Sequence, residues 1–439
     1  MTQRTIGAAA PDPKLTFADW FAILGTVAWG TAQLVLSGDW ISDDLRALTL
    51  RPKNLLAAMF LAINAVIFLW RMFHGEVYGK FRRPILVSYA CYVIVALLPM
   101  LFVSSDANYL LIVMYFLWGL YAYVLAQCMF RNHHVWKVFL RVTNRTTIAV
   151  LAAGALFGIY HGEYFMPGSH RLAFVFFIVQ YGYALCVVCA TALGLAINNR
   201  SERAKTFYAV EIIICMVLMA LAVSRSSLVF ALVMVLTYWV LKSDLALGWG
   251  LALVILVAGG TGVTFDILGW DKVNDLSSGR LALYEYELNT HLLDRPVDEW
   301  LLGSSTFLQS QNTLVVDEAG KEARFKRNQT DNAYLSMLLS HGMLGLFFFA
   351  TPLLLLAQLL LKSGKSAPPL SRSHYQLGFA VWMAVAMTSL SESTLPSLGG
   401  IVPIYMPIFW MPIIEFCPWR PSYAKTPDPD FVTSVPVGV

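Results

Sequence analysis

The chain has 439 residues, 58% of them apolar and only 13% charged, with a formal net charge of +4 and a mean hydropathy of +0.62. That balance excludes a soluble domain with a charged surface and makes lipid the solvent for most of the chain.

A bilayer core takes about 20 apolar residues per spanning helix. Twelve apolar runs answer to that length or come near it, at 17–37, 54–70, 84–104, 108–130, 146–160, 172–198, 206–223, 226–241, 245–268, 332–361, 375–390 and 399–415. The first 16 residues are polar and the first run lacks a small-residue cleavage site, so no cleavable signal peptide is expected. The polar break Ser224-Arg225-Ser226-Ser227 divides 206–241, because one helix of that length would overshoot the membrane. The expected fold class is an all-α integral membrane protein of about twelve transmembrane helices. Helices one to nine lie in 1–268, a large outward loop fills 269–331, helices ten to twelve lie in 332–415, and 416–439 is a cytoplasmic tail.

Lys and Arg in short loops collect on the cytoplasmic side. With alternate sides assigned to successive loops, Arg71/Lys80/Arg82/Arg83, Arg131/Lys137/Arg141/Arg145, Arg200/Arg203/Lys205 and Lys362/Lys365/Arg372 all fall on the face of the amino terminus. Both chain ends are then inside. The exception, Arg46, Arg51 and Lys53 in the first outward loop, is balanced by Asp39, Asp43 and Asp44. Topology alone accounts for this basic charge, so no nucleic-acid partner is expected. His133-His134 lacks a third ligand, and His161, Glu163 and His170 are separated by Pro and Gly; no metal site is expected at either. The six cysteines lie in or beside apolar runs, Cys186 and Cys189 in one of them, where packing is the expected role.

The halves of a two-half transporter are joined by a long central connection, whereas here only Asn199 to Lys205 joins spans six and seven. The one long loop lies between spans nine and ten. Within it Leu281, Tyr284, Leu288 and Leu292 recur at helical spacing, which predicts a short amphipathic helix over the outer membrane face. A Leu301-Leu302-Gly303 turn and a mixed charged stretch, Asp317 to Arg327, follow it, and the loop folds back over the bundle.

Charged groups at span ends favour a cavity or a partner. On the outward side Arg225 marks the break between spans seven and eight, Arg280 opens the loop helix, Asp331 stands at the mouth of span ten, and Glu392 follows span eleven. Arginine binds phosphate through two parallel hydrogen bonds and keeps its charge, which suits a diphosphate leaving group. A carboxylate suits the proton of an attacking sugar hydroxyl. Asp331, before an apolar helix, is equally suited to cap it. Glu211, inside span seven, is expected to make a structural hydrogen bond, and His341 to pack.

These residues resemble the O-antigen ligase and polymerase family of bacterial surface-polysaccharide enzymes. Ser224-Arg225-Ser226 entering an apolar helix is similar to the family's arginine-containing span start. Asp331-Asn332, nine residues, then Gly342-Met343-Leu344-Gly345 is similar to its His-Asn, nine residues, Gly-x-x-Gly signature, and Ser278-Gly279-Arg280 with the later Leu-Leu-Gly is a third match. The resemblance covers roughly 205–360. It departs at Asp331, where ligase members carry histidine; aspartate is ordinarily the weaker base, which favours a polymerase.

The resemblance implies a GT-C-like membrane glycosyltransferase in the bacterial inner membrane with its site facing the periplasm, free of metal and cofactor. The implied donor is an undecaprenyl-diphosphate-linked oligosaccharide. Arg225 and Arg280 would hold the diphosphate, Asp331 would act as base with Glu392 as second choice, and Tyr334 and Asn332 would line the acceptor or lipid path. Membrane lipid and a chain-length regulator are the implied partners. The alternatives are a ligase delivering the glycan to a lipid A core, and a precursor transporter or flippase, which would spread charge through the midplane of both halves.

Overall fold

The computed structural model describes residues 15–36, 59–64, 80–81, 83–98, 117–122, 133–162, 178–243, 296–303, 311–316, 322–327, 332–367 and 369–390, with shorter pieces elsewhere. Among these, α1 spans Phe17–Leu36, α2 Arg83–Leu97, α3 His133–His161, α4 Ile178–Ile197, α5 Glu202–Leu221, α6 Arg225–Lys242, α7 Val297–Leu302, α8 Ala333–Ser366 and α9 Pro369–Thr388. Among the described residues five helices are long and apolar enough to cross a membrane, namely α3 from His134, α4 from Val179, α5, α6 and α8. The architecture is that of a helical membrane protein. The run 245–268, the expected loop helix apart from Asn289, and the tail 416–439 lie outside the described residues.

Local chemistry sets several of these ends. Thr16 and Asp19 cap α1 reciprocally: the Thr16 N–H and hydroxyl donate to Asp19 Oδ2, and the Asp19 N–H donates back to Thr16 Oγ1. The expected break falls at 222–224, where Val223 takes a φ of 51° and the chain restarts as α6 at Arg225. Other expectations need correction. α3 begins at His133, thirteen residues before the apolar run, so Lys137, Arg141 and Arg145 stand on a helix rather than in a loop. α4 begins at Ile178 rather than 172. The charged stretch before span ten forms an antiparallel hairpin, Gln311–Val316 (β2) with Glu322–Arg327 (β3). A second ladder pairs Lys80–Phe81 (β1) with Ile414–Glu415 (β4), tying the connection before α2 to the end of the last apolar run.

α4 is the central helix, with 78% of its span buried against 17% for α5. Its C-terminal end is fixed by Asn198 Oδ1, 2.7 Å from His374 Nε2 on α9, by the Trp136 ring edge-on to His374, and by Gly194 against Leu140 and Leu377. Cys186 and Cys189 are fully buried within it, as their apolar setting predicts. α5 turns Phe207, Val210, Ile213, Ile214 and Val217 outward, a stripe that in a bilayer meets hydrocarbon. Inside the bundle Asn144 Nδ2 donates to Glu211 Oε1 at 2.5 Å and to Thr191 Oγ1 at 3.3 Å, the structural hydrogen bond expected for Glu211.

α6 and α9 are antiparallel neighbours. Gln376 Nε2 donates to the Leu241 carbonyl at 2.8 Å, so Lys242, Lys362, Lys365 and Arg372 share one end of the bundle with Lys137, Arg200, Arg203 and Lys205. Among the described residues around the opposite ends of α4, α6 and α9, Arg225 is the one Lys or Arg.

Candidate functional site

α8 has 34 residues and would be about 51 Å long if straight, far more than a bilayer requires. It is not straight. Gly342 has φ 65° and ψ −172°, which breaks it into 333–341 and 343–366. Tyr334 lines one small cavity with Ala350, Leu354, Trp382 and Ala386, although twenty residues of helix would put Tyr334 and Leu354 about 30 Å apart. Met337 likewise belongs to one cluster with Tyr92, Leu346 and Phe349. The first nine residues therefore fold back against the rest. Span ten, expected as one helix over 332–361, is a buried short helix followed by a membrane-length one.

Two glycines make this geometry possible. A Cβ on Gly342 would lie 2.4 Å from the Leu301 carbonyl, and one on Gly303 would lie 2.4 Å from the His341 nitrogen. Gly303, at φ 80°, ends α7, so the short loop helix docks backbone to backbone on the break. Its Trp300 packs against Leu335 and Leu339. The loop thus returns onto the bundle, through a helix where the sequence suggested only a turn. Beneath it His341 is buried edge-on to Tyr92, in keeping with a packing role, and its two ring nitrogens and the Ser340 hydroxyl make no hydrogen bond among the described residues.

At the other end of the short helix, Asn332 Oδ1 accepts from the N–H groups of Tyr334, at 2.9 Å, and Leu335, at 3.0 Å. The cap that Asp331 was equally suited to supply is made by Asn332. Asn332 is therefore a capping residue, and its side-chain oxygen is engaged by backbone. The Ala333 N–H donates to the Ser389 carbonyl at 2.9 Å, and the Tyr334 hydroxyl donates to the Ala386 carbonyl at 3.1 Å. With these N–H groups satisfied, the helix terminus offers an anion its dipole field rather than hydrogen bonds. Replacing Asn332 with Ala is expected to cost about 1 kcal/mol of stability, with Asn332→Asp close to wild type, as read by denaturant unfolding in detergent.

Two routes place Arg225 at this same end. Leu241 is level with Gln376, and 16 residues back along α6 is about 24 Å, which on antiparallel α9 reaches just beyond Ser389. Independently, Gly194 is level with Leu377 while Gly182 lies against Ser224 and Ser227; twelve residues along α4 and α9 again link Ser224 to the level of Ser389. Arg225 is exposed and forms no ion pair among the described residues. So Arg225, Asn332 and Tyr334 gather at one end of the bundle. Arg280, Asp331 and Glu392 lie outside the described residues. Asp331 directly precedes Asn332, and Glu392 follows Ser389 by three residues.

Chemically, this end combines among the described residues one guanidinium without an ion pair, a helix N-terminus and an apolar wall under Tyr334, which suits an anionic group carried on hydrocarbon. No model of a known protein family matches the chain, and no curated protein matches it.

Proposed function

We propose that the protein is a membrane glycosyltransferase that polymerises undecaprenyl-diphosphate-linked repeat units of a bacterial surface polysaccharide at the periplasmic face of the inner membrane. The observation that carries this reading is the break at Gly342. It gives a physical reason for Gly-x-x-Gly nine residues after Asp331-Asn332: the first glycine adopts a backbone closed to other residues, and a Cβ on Gly345 would lie 2.1 Å from His341 Cβ. The motif thereby sets Asn332, which Asp331 directly precedes in sequence, at the end of the bundle that carries Arg225. The sidedness of the basic residues supports cytoplasmic termini and an outward site, within a fold of twelve spans.

In the reaction, the hydroxyl of an acceptor repeat attacks the anomeric carbon of the donor chain. The bond from that carbon to the diphosphate oxygen breaks, and the lipid diphosphate leaves with the bonding pair. Arg225 and Arg280 stabilise the charge that develops there. Asp331, with Glu392 as second choice, takes the hydroxyl proton. Tyr334 spends its hydroxyl on the Ala386 carbonyl and presents its ring to apolar side chains, which fits the lipid path rather than the sugar. No step requires a metal or organic cofactor, and a chain-length regulator would act from outside this site.

The test is the product formed by purified protein from a labelled lipid-linked repeat, with and without lipid A core and without a membrane gradient. Longer lipid-linked chains are expected. Transfer only to the core would make the protein a ligase, and vectorial movement without a new glycosidic bond would make it a transporter.

A further inference from the structure

α3 and α5 both pack on α4, and between them lies a cleft of about 400 Å³. Leu185 and Val188 form its floor, and Ala152, Ala155, Ile214 and Leu218 form its walls. We propose that this cleft holds the isoprenoid chain of a single-chain lipid diphosphate whose anionic head lies at Arg225; the identity of that lipid rests on the glycosyl-transfer reading.

Four observations converge on this occupant. The lining is apolar apart from Glu211, the Tyr181 hydroxyl and the Cys215 thiol, and the Glu211 carboxylate is engaged by Asn144, so the cleft rewards mainly hydrocarbon. Its rim, with Ala152, Phe207, Val210 and Ile214 exposed, opens sideways where a bilayer has no water, so a chain enters from the membrane. From Phe207 to Leu218 the wall runs eleven residues, about 16 Å, close to half of the roughly 30 Å hydrocarbon core. This stretch is the middle of α5, so a chain lying along it from the outward end reaches past the membrane centre.

The fourth observation concerns the head. The upper end of the cleft, at Leu218 and Phe174, adjoins the turn between α5 and α6: the Ser224 N–H donates to the Met219 carbonyl at 3.0 Å, and the Leu172 N–H to the Leu221 carbonyl at 3.3 Å. Arg225 follows Ser224 directly. A lipid with its head on this guanidinium therefore has an apolar slot beginning next to it. The slot lies over one helix between two walls, which suits one chain; a diacyl phospholipid would leave its second chain outside.

The experiment uses the full chain in nanodiscs with a polyprenyl diphosphate carrying a photoreactive group in its first isoprene units, with labelled peptides mapped by mass spectrometry. Label is expected on α3 around Ala152 and Ala155 and on α5 around Ile214 and Leu218, competed by undecaprenyl diphosphate and not by the same excess of phosphatidylglycerol. Ala152→Phe and, separately, Ala155→Phe are each expected to lower that labelling about tenfold with an unchanged melting temperature; the exposed position 152 serves if 155 impairs folding. Label elsewhere, such as under Tyr334, or equal competition by phosphatidylglycerol, overturns the proposal. Labelled cleft residues without oligosaccharide elongation would retain the lipid site and remove glycosyl transfer; elongation with label elsewhere would do the reverse.

Discussion

Replacing Arg225 with alanine is expected to lower turnover of a lipid-linked oligosaccharide by roughly 10²–10³-fold, the effect of removing one group that stabilises charge developing on a leaving group. Stability should scarcely change. The side chain is exposed and makes no ion pair among the described residues, and exposed substitutions away from structural contacts stay within about 0.5 kcal/mol. Arg225→Lys should fall between, since it keeps the charge and loses the paired donors that match a phosphate. The measurements are kcat on a labelled donor and the melting temperature of the same preparation. Wild-type turnover in the alanine variant would reduce Arg225 to an interfacial anchor.

Gly342→Ala should be strongly destabilising. At φ 65° and ψ −172°, a region essentially restricted to glycine, an L residue costs about 1–3 kcal/mol. The new Cβ would also lie 2.4 Å from the Leu301 carbonyl, and forcing the two backbones apart adds about 1–3 kcal/mol. Gly303→Ala should behave alike, and the two together should cost less than their sum, since one displacement of α7 relieves both. Gly162 is the control: it has φ 74° but nothing within 4 Å of its Cβ, so Gly162→Ala should cost only about 1 kcal/mol. Unfolding in detergent reads all four variants. A Gly342→Ala protein as stable as wild type would mean that α7 does not rest on the break.

What the sequence disclosed followed from signals that lipid makes strong. Helices α5 and α6 and the break between them were legible because length and a polar tetrad agree. Glu211 was legible because a carboxylate within a span needs a partner, and Asn144 supplies it. The start of α3 was not, since Lys137, Arg141 and Arg145 read as loop charge while the backbone continues as helix across them. The fold-back of α8 was half visible. The length argument that divided 206–241 applies equally to the thirty residues of 332–361, but no polar break accompanies Gly342, and a glycine in an apolar run does not announce a positive φ. The partner of that glycine, Gly303, lies 39 residues earlier in another element, a contact that no local pattern encodes. At the site, Asp331 read as either base or cap and Asn332 as part of the acceptor or lipid path; the hydrogen bonds from Tyr334 and Leu335 make Asn332 the cap.

The whole account requires Arg225 and the start of the short buried helix to occupy the same end of the bundle. A spin-label distance between cysteines placed at 225 and 332 in nanodiscs tests this directly. Neighbouring helix axes lie 8–10 Å apart, so one intervening helix predicts a separation on the order of 10–20 Å. A distance beyond about 30 Å, the thickness of the hydrocarbon core, would put the guanidinium and the Asp331-Asn332 pair at opposite faces of the membrane and leave no common site for a lipid diphosphate.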